Sequence, residues 1–107
     1  MLERIGKFVN KANMIRLNVF FTIKEGASTE DVLAITNELV AKSRQDEGCL
    51  GYDLFQSTTD PKVFMFCESW ENAEVLDKHS KAPHLTSAIP ALRALTADGL
   101  KAESFEK

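Results

Sequence analysis

Residues 63–70 read Val63-Phe64-Met65-Phe66-Cys67-Glu68-Ser69-Trp70. A β-strand sends successive side chains to opposite faces, so a sheet with one dry and one wet face produces alternation. Here residues 63–67 are apolar without a break. Both faces of this strand therefore call for cover. The run follows Thr59-Asp60-Pro61-Lys62, which is strong turn chemistry, and before that comes Cys49-Leu50-Gly51-Tyr52-Asp53-Leu54-Phe55-Gln56-Ser57. Two strands joined as a hairpin are predicted.

Upstream of the hairpin, residues 15–24 place Ile15, Leu17, Val19, Phe21 and Ile23 on one face against Arg16, Asn18, Phe20 and Thr22 on the other, the period of a strand. Glu25 and Gly26 end it. Ser28 with Asp31 forms a capping-box pattern ahead of Val32, Leu33, Ile35, Leu39 and Val40, so a helix is predicted from about Thr29 to Arg44. Downstream, Asn72 caps a second helix running to about His79, and residues 80–83 are irregular. A further helical stretch carries Leu85, Ala88, Ile89, Leu92 and Leu95, with Pro90 bending it or starting a new first turn. Asp98-Gly99 closes that stretch, and Leu100 to Phe105 is a short final strand.

Strand, helix, strand, strand, helix, strand is the split βαβ order, an α+β ferredoxin-like (βαββαβ) plan with helices on one face of an antiparallel sheet. The helices are then committed to one face. The cheapest cover for the other is a second copy of the same sheet, giving a homodimer with a dimeric α+β barrel; an internal ligand pocket is compatible with this. Residues 1–13 place Leu2, Ile5, Phe8, Val9 and Ala12 at helical spacing and form an N-terminal amphipathic extension to a domain of residues 14–107.

A chain of 107 residues has room for one domain. Hydrophobic residues at 44% and charged residues at 27% match a globular protein that folds unaided. The net charge of −3, with Lys and Arg scattered among acids, leaves no basic surface for nucleic acid. No apolar run is long enough for a membrane span, and the N-terminus lacks the continuous apolar core of a signal peptide, so a cytoplasmic location is expected. Cys49 and Cys67 form neither a CxxC pair nor a Cys/His cluster and are expected to be buried reduced thiols.

GxSxG, Walker, GxGxxG and HExxH motifs are all missing, as is any paired metal-ligand spacing, so no metal is expected. What remains clusters after the third strand. Glu68 and Trp70 share a face with Phe64 and Phe66, while His79 and His84 follow close behind. His79 lies beside the apolar stripe of the second helix. It is either a buried ring satisfied by the backbone or a base that takes a proton from a phenol or enol. His84, after Pro83 at a helix start, is either a structural contact or a second candidate base. Glu68 points inward and pairs with Arg16 or a backbone amide, or acts catalytically. Trp70, Phe64, Phe66, Phe20 and Tyr52 either line an aromatic pocket or pack a core or dimer interface. Asn18 holds a substrate carbonyl, or serves a bulge or a water.

Two segments, EGCLGYDLFQSTTDP (47–61) and FMFCESWENAEVLDKHSKAPHL (64–85), resemble the antibiotic biosynthesis monooxygenase family, in particular its small bacterial quinol monooxygenases. The Gly-rich entry to strand two, the E-x-W end of strand three and the L-D-x-H-x(4)-H helix carry the likeness. It extends more weakly over about residues 14–106. The resemblance implies a homodimer that oxidises a quinol-like or polyphenolic small molecule with molecular oxygen and no cofactor. It carries over Glu68, Trp70, His79 and His84 as site positions, with Asn18 added. Haem degradation is disfavoured, because the Trp and later His of that branch have no counterpart here. A non-catalytic ligand-binding dimer, or a protein isomerising or degrading a phosphorylated signal sugar, are the alternatives; the last would need a cationic pocket, for which Arg16 is the inward candidate.

Overall fold

The computed structural model describes residues 14–106; the amphipathic extension expected at residues 1–13 lies outside the described residues. Strands β1 (Ile15–Thr22), β2 (Cys49–Gln56), β3 (Val63–Trp70) and β4 (Lys101–Glu106) form one antiparallel sheet in the order β2-β3-β1-β4. Helix α1 (Thr29–Ser43) connects β1 to β2. Three shorter helices, α2 (Ala73–Ser80), α3 (Pro83–Thr86) and α4 (Ala88–Leu95), connect β3 to β4. This is the ferredoxin-like α+β fold.

Local chemistry sets the element ends. The Ser28 hydroxyl accepts from the Asp31 amide at 3.1 Å while the Asp31 carboxylate accepts from the Ser28 amide at 3.0 Å, which satisfies two amide groups the first turn of α1 leaves unpaired. Asn72 caps α2 through the Val75 amide at 3.0 Å. In the β2–β3 turn, Ser57 accepts from the amides of Thr59 and Asp60. The single long helix segment expected after Pro83 divides at Ser87. Pro90 falls in the first turn of α4, where its missing amide hydrogen costs no helical bond.

Register fixes which residues share a face. Val19 pairs with Phe66 and Leu17 with Glu68 across β1 and β3, and β2 adds Leu54 and Tyr52 to the same rows. Helices cover this face. Phe21, Phe64, Phe66, Tyr52 and Trp70 are buried there with Val32, Leu39 and Leu92 from the helices. Among the described residues, no helix lies over the opposite rows, Arg16 with Ser69, Asn18 with Cys67 and Phe20 with Met65. Phe20, Phe55 and Phe105 are exposed on that side. Strand β3 therefore meets a packed core with its even-numbered residues and an open surface with its odd-numbered ones. Among the described residues no helix is long and apolar enough to cross a membrane.

Candidate active site

Between the sheet and the helices lies a cavity of about 140 Å³, walled by Leu17, Val19, Phe66, Leu76, Leu85, Ile89, Leu92 and Leu100. Its polar wall groups are Tyr52, Glu68, His79 and Ser80. An apolar cavity of this size accommodates one benzene-sized ring.

His79 reaches the cavity from the last turn of α2 and is buried. Its ring packs against Trp70 with centroids 4.5 Å apart and meets Tyr52 edge-on at 5.4 Å. The third neighbour is Asp46, whose Oδ2 accepts from His79 Nδ1 at 2.8 Å and from His84 Nε2 at 2.9 Å. One carboxylate oxygen thus fixes both rings. With the Nδ1 proton held by Asp46, His79 keeps the Nε2 lone pair. Burial holds the His79 pKa below the usual histidine value; the Asp46 carboxylate opposes that shift. Burial thus favours the neutral imidazole.

Asp46 sits in the turn between α1 and β2, where its backbone is held by Asp46 N–H to Ser43 O and Cys49 N–H to Asp46 O, each 3.1 Å. Gly48 is what brings this turn close. Its φ of +76° is a region that favours glycine, and a Cβ there would lie 2.5 Å from Val75, one helical turn before His79. Asp46 belongs to no motif in the sequence. Its only local signal was an acidic residue in a tight turn, two positions before a glycine.

Glu68 is buried beside the cavity, and its Oε1 accepts from Trp70 Nε1 at 3.0 Å. Loss of water raises its pKa to about 7, against the smaller lowering effect of the Trp70 bond. It exchanges a proton near neutrality. Burial, assisted by the Glu68 charge, pushes the Tyr52 phenol well above its usual pKa, so that hydroxyl stays protonated.

Several expectations need correction. Arg16 does not pair with Glu68: it lies on the open face, with its guanidinium 2.7 Å from Cys67 Sγ. Asn18 and Phe20 are also on the open face, with Asn18 bonded to Glu103 at 3.3 Å, so the sheet separates them from Glu68 and His79. The cause is register, because Phe20 pairs with Met65 and not with Phe66. Of the aromatic set, Tyr52 and Phe66 line the cavity; Phe64 stacks on Phe21 at 5.2 Å inside the core, and Trp70 backs His79. His84 does not line this cavity and lies on a separate one of about 160 Å³ with Glu38 and Ile35. Cys49 and Cys67 are free thiols and half-buried.

The expectation that no metal-ligating set exists also changes. Asp46, His79 and His84 offer one donor atom each, all within 4.8 Å of one another. The third donor comes from a separate turn, which a search for paired spacing does not see.

A protein of unknown function from Bacteroides thetaiotaomicron, suggested to be an oxidoreductase, is 42% identical, superposes with a TM-score of 0.81, and matches 90% of this chain and 99% of its own. The proposed monooxygenase YcnE of Bacillus subtilis is 30% identical over 76 residues, covering 71% of this chain and 79% of YcnE. An uncharacterized protein of Synechocystis is 31% identical over 55 residues, 51% of this chain; the match spans 37% of that relative's length. The family model for antibiotic biosynthesis monooxygenase matches residues 14–91. The chain belongs to the antibiotic biosynthesis monooxygenase family.

Proposed function

We propose that the cavity beneath the helices is the active site of a cofactor-independent monooxygenase acting on a quinol-like or polyphenolic small molecule, with His79 as the base. The observation that carries this reading is a neutral imidazole, oriented by Asp46, on the wall of an apolar cavity sized for one aromatic ring. His79 Nε2 takes the phenolic proton. The electron-rich phenolate, desolvated by the leucine-rich wall, then reduces oxygen at a ring carbon. One oxygen atom stays on that carbon and the other leaves as water. The four electrons come from the C–H bond and from oxidation of the quinol to the quinone. Glu68, poised near neutrality, hydrogen-bonds a substrate oxygen in either protonation state.

The same reading includes a second copy of the chain over the open sheet face. Three exposed aromatic residues there, together with Arg16 Nε and Asn18 Oδ1 buried without hydrogen-bond partners, support it. A phosphorylated-sugar activity finds less support, since the cavity wall carries no Lys or Arg.

Oxygen uptake with a panel of reduced quinones is the test. Wild-type protein is expected to consume oxygen with at least one of them, and His79→Ala to lower kcat/KM by about 100-fold or more, the usual scale for loss of a general base. Equal rates for wild type and a His79→Ala/His84→Ala double variant, or no uptake with any quinol, would sink the assignment in favour of a non-catalytic binding dimer.

A further inference from the structure

We infer that Asp46, His79 and His84 form a site for one late first-row divalent cation, Zn²⁺ in the first instance, and that occupancy moves the His79 proton from Nδ1 to Nε2. Two imidazole nitrogens and one carboxylate oxygen already converge, with their donor atoms within 4.8 Å of one another. Three protein ligands with a fourth position left open is a recurrent zinc arrangement, and two nitrogen donors out of three select against Ca²⁺ and Mg²⁺.

The donors come from three separately anchored places. Trp70 and Tyr52 clamp the His79 ring, Pro83 at the start of α3 precedes His84, and two backbone hydrogen bonds hold the Asp46 turn. The present O···N separations of 2.8 and 2.9 Å are hydrogen-bond distances. Metal–ligand bonds of about 2.1 Å at tetrahedral angles would set the donors roughly 3.4 Å apart. The carboxylate must therefore retreat by roughly half an ångström while the two imidazole nitrogens, now within 4.8 Å, settle to the same spacing. The Asp46 side chain is 20% exposed, against 3% for His79 and 13% for His84, so it is the ligand with most room to move. A cavity of about 160 Å³ lies beside His84 and gives a cation a route to the site.

The consequence for His79 follows from counting lone pairs. Without the cation, Asp46 accepts the Nδ1 proton and Nε2 is free to act as a base. A cation takes the Nδ1 lone pair, and the neutral ring then carries its one proton on Nε2. The cation would switch the base off. That last step rests on the function proposed above; the binding itself does not.

The experiment is calorimetric titration of chelator-treated protein with ZnCl₂, alongside the visible absorption of the Co²⁺ complex and ¹⁵N-resolved NMR of the histidine rings. One Zn²⁺ per chain, a Co²⁺ spectrum of low coordination number, and affinity weakened more than about tenfold in both Asp46→Asn and His84→Gln but unchanged in Glu47→Gln are expected. Circular dichroism checks that each variant is folded, and the wild-type Co²⁺ spectrum stands without them. No saturable binding, a six-coordinate Co²⁺ spectrum, or equal affinity in all variants overturns the site. A His79 ring that keeps its proton on Nδ1 in the Zn²⁺-loaded protein overturns the switch alone. Neither outcome depends on whether any quinol is turned over.

Discussion

The two faces of the sheet use the same strands to opposite ends. On the covered face, Phe64, Phe66, Glu68 and Trp70 of β3 are each 4% exposed or less, and even the carboxylate has its partner, the Trp70 indole. On the open face, Met65, Cys67 and Ser69 stay half-buried while Phe20, Phe55 and Phe105 stand in solvent. The difference shows that an apolar strand does not by itself define a core. A core forms where helices seal one side, and there Glu68 and His79 acquire shifted proton affinities and fixed partners. The other side retains exposed aromatic area.

Deleting one aromatic ring from the covered face should have the largest effect. Phe66→Ala should cost about 3–5 kcal/mol, measured by urea denaturation, because it removes a buried ring that packs on Phe21 and Tyr52. A loss under about 1 kcal/mol would mean that the face is not sealed. Next comes the proton on Glu68. Its folded pKa of about 7 lies above the usual 4.5, so the native state holds the proton more tightly than the unfolded chain does. The resulting stabilisation is fully present below pH 4.5 and is lost as pH rises through 7, a span on the order of 3 kcal/mol. Stability curves from pH 4 to 8 should show this decline in wild type and lose it in Glu68→Gln; parallel curves would contradict the burial of that carboxylate.

The smallest expected change in chain stability tests the open face. Phe20→Asp should alter the stability of the individual folded chain by less than about 1 kcal/mol, since Phe20 is already 36% exposed. Light scattering at micromolar concentration should nevertheless show a dimer converted to monomer. A wild-type monomer would remove the second copy from the reading.

Much of this contrast was legible in the residues. The unbroken apolar run at 63–67 showed that β3 carries apolar side chains on both faces, the Ser28/Asp31 and Asn72 caps marked the starts of α1 and α2, and the spacing of Val75, Leu76 and His79 put the histidine against the core. The site was legible only in part. Glu68, Tyr52, Phe66 and His79 do meet at one cavity, whereas Asn18 and Phe20 are on the far side of the sheet.

What the sequence determined by itself is everything that depends on neighbours a few residues away: element order, caps, turns and the alternation of faces within each strand. Tertiary structure decided the rest. Which face of β1 joins which face of β3 depends on a register set across about 50 residues of chain, and a slip of one position exchanges the faces. The pairing of His79 with Asp46 depends on Gly48, whose missing side chain lets a turn settle on Val75 and carry a carboxylate to a ring 33 residues away. No local pattern encodes that meeting, because close packing of two separate segments produces it.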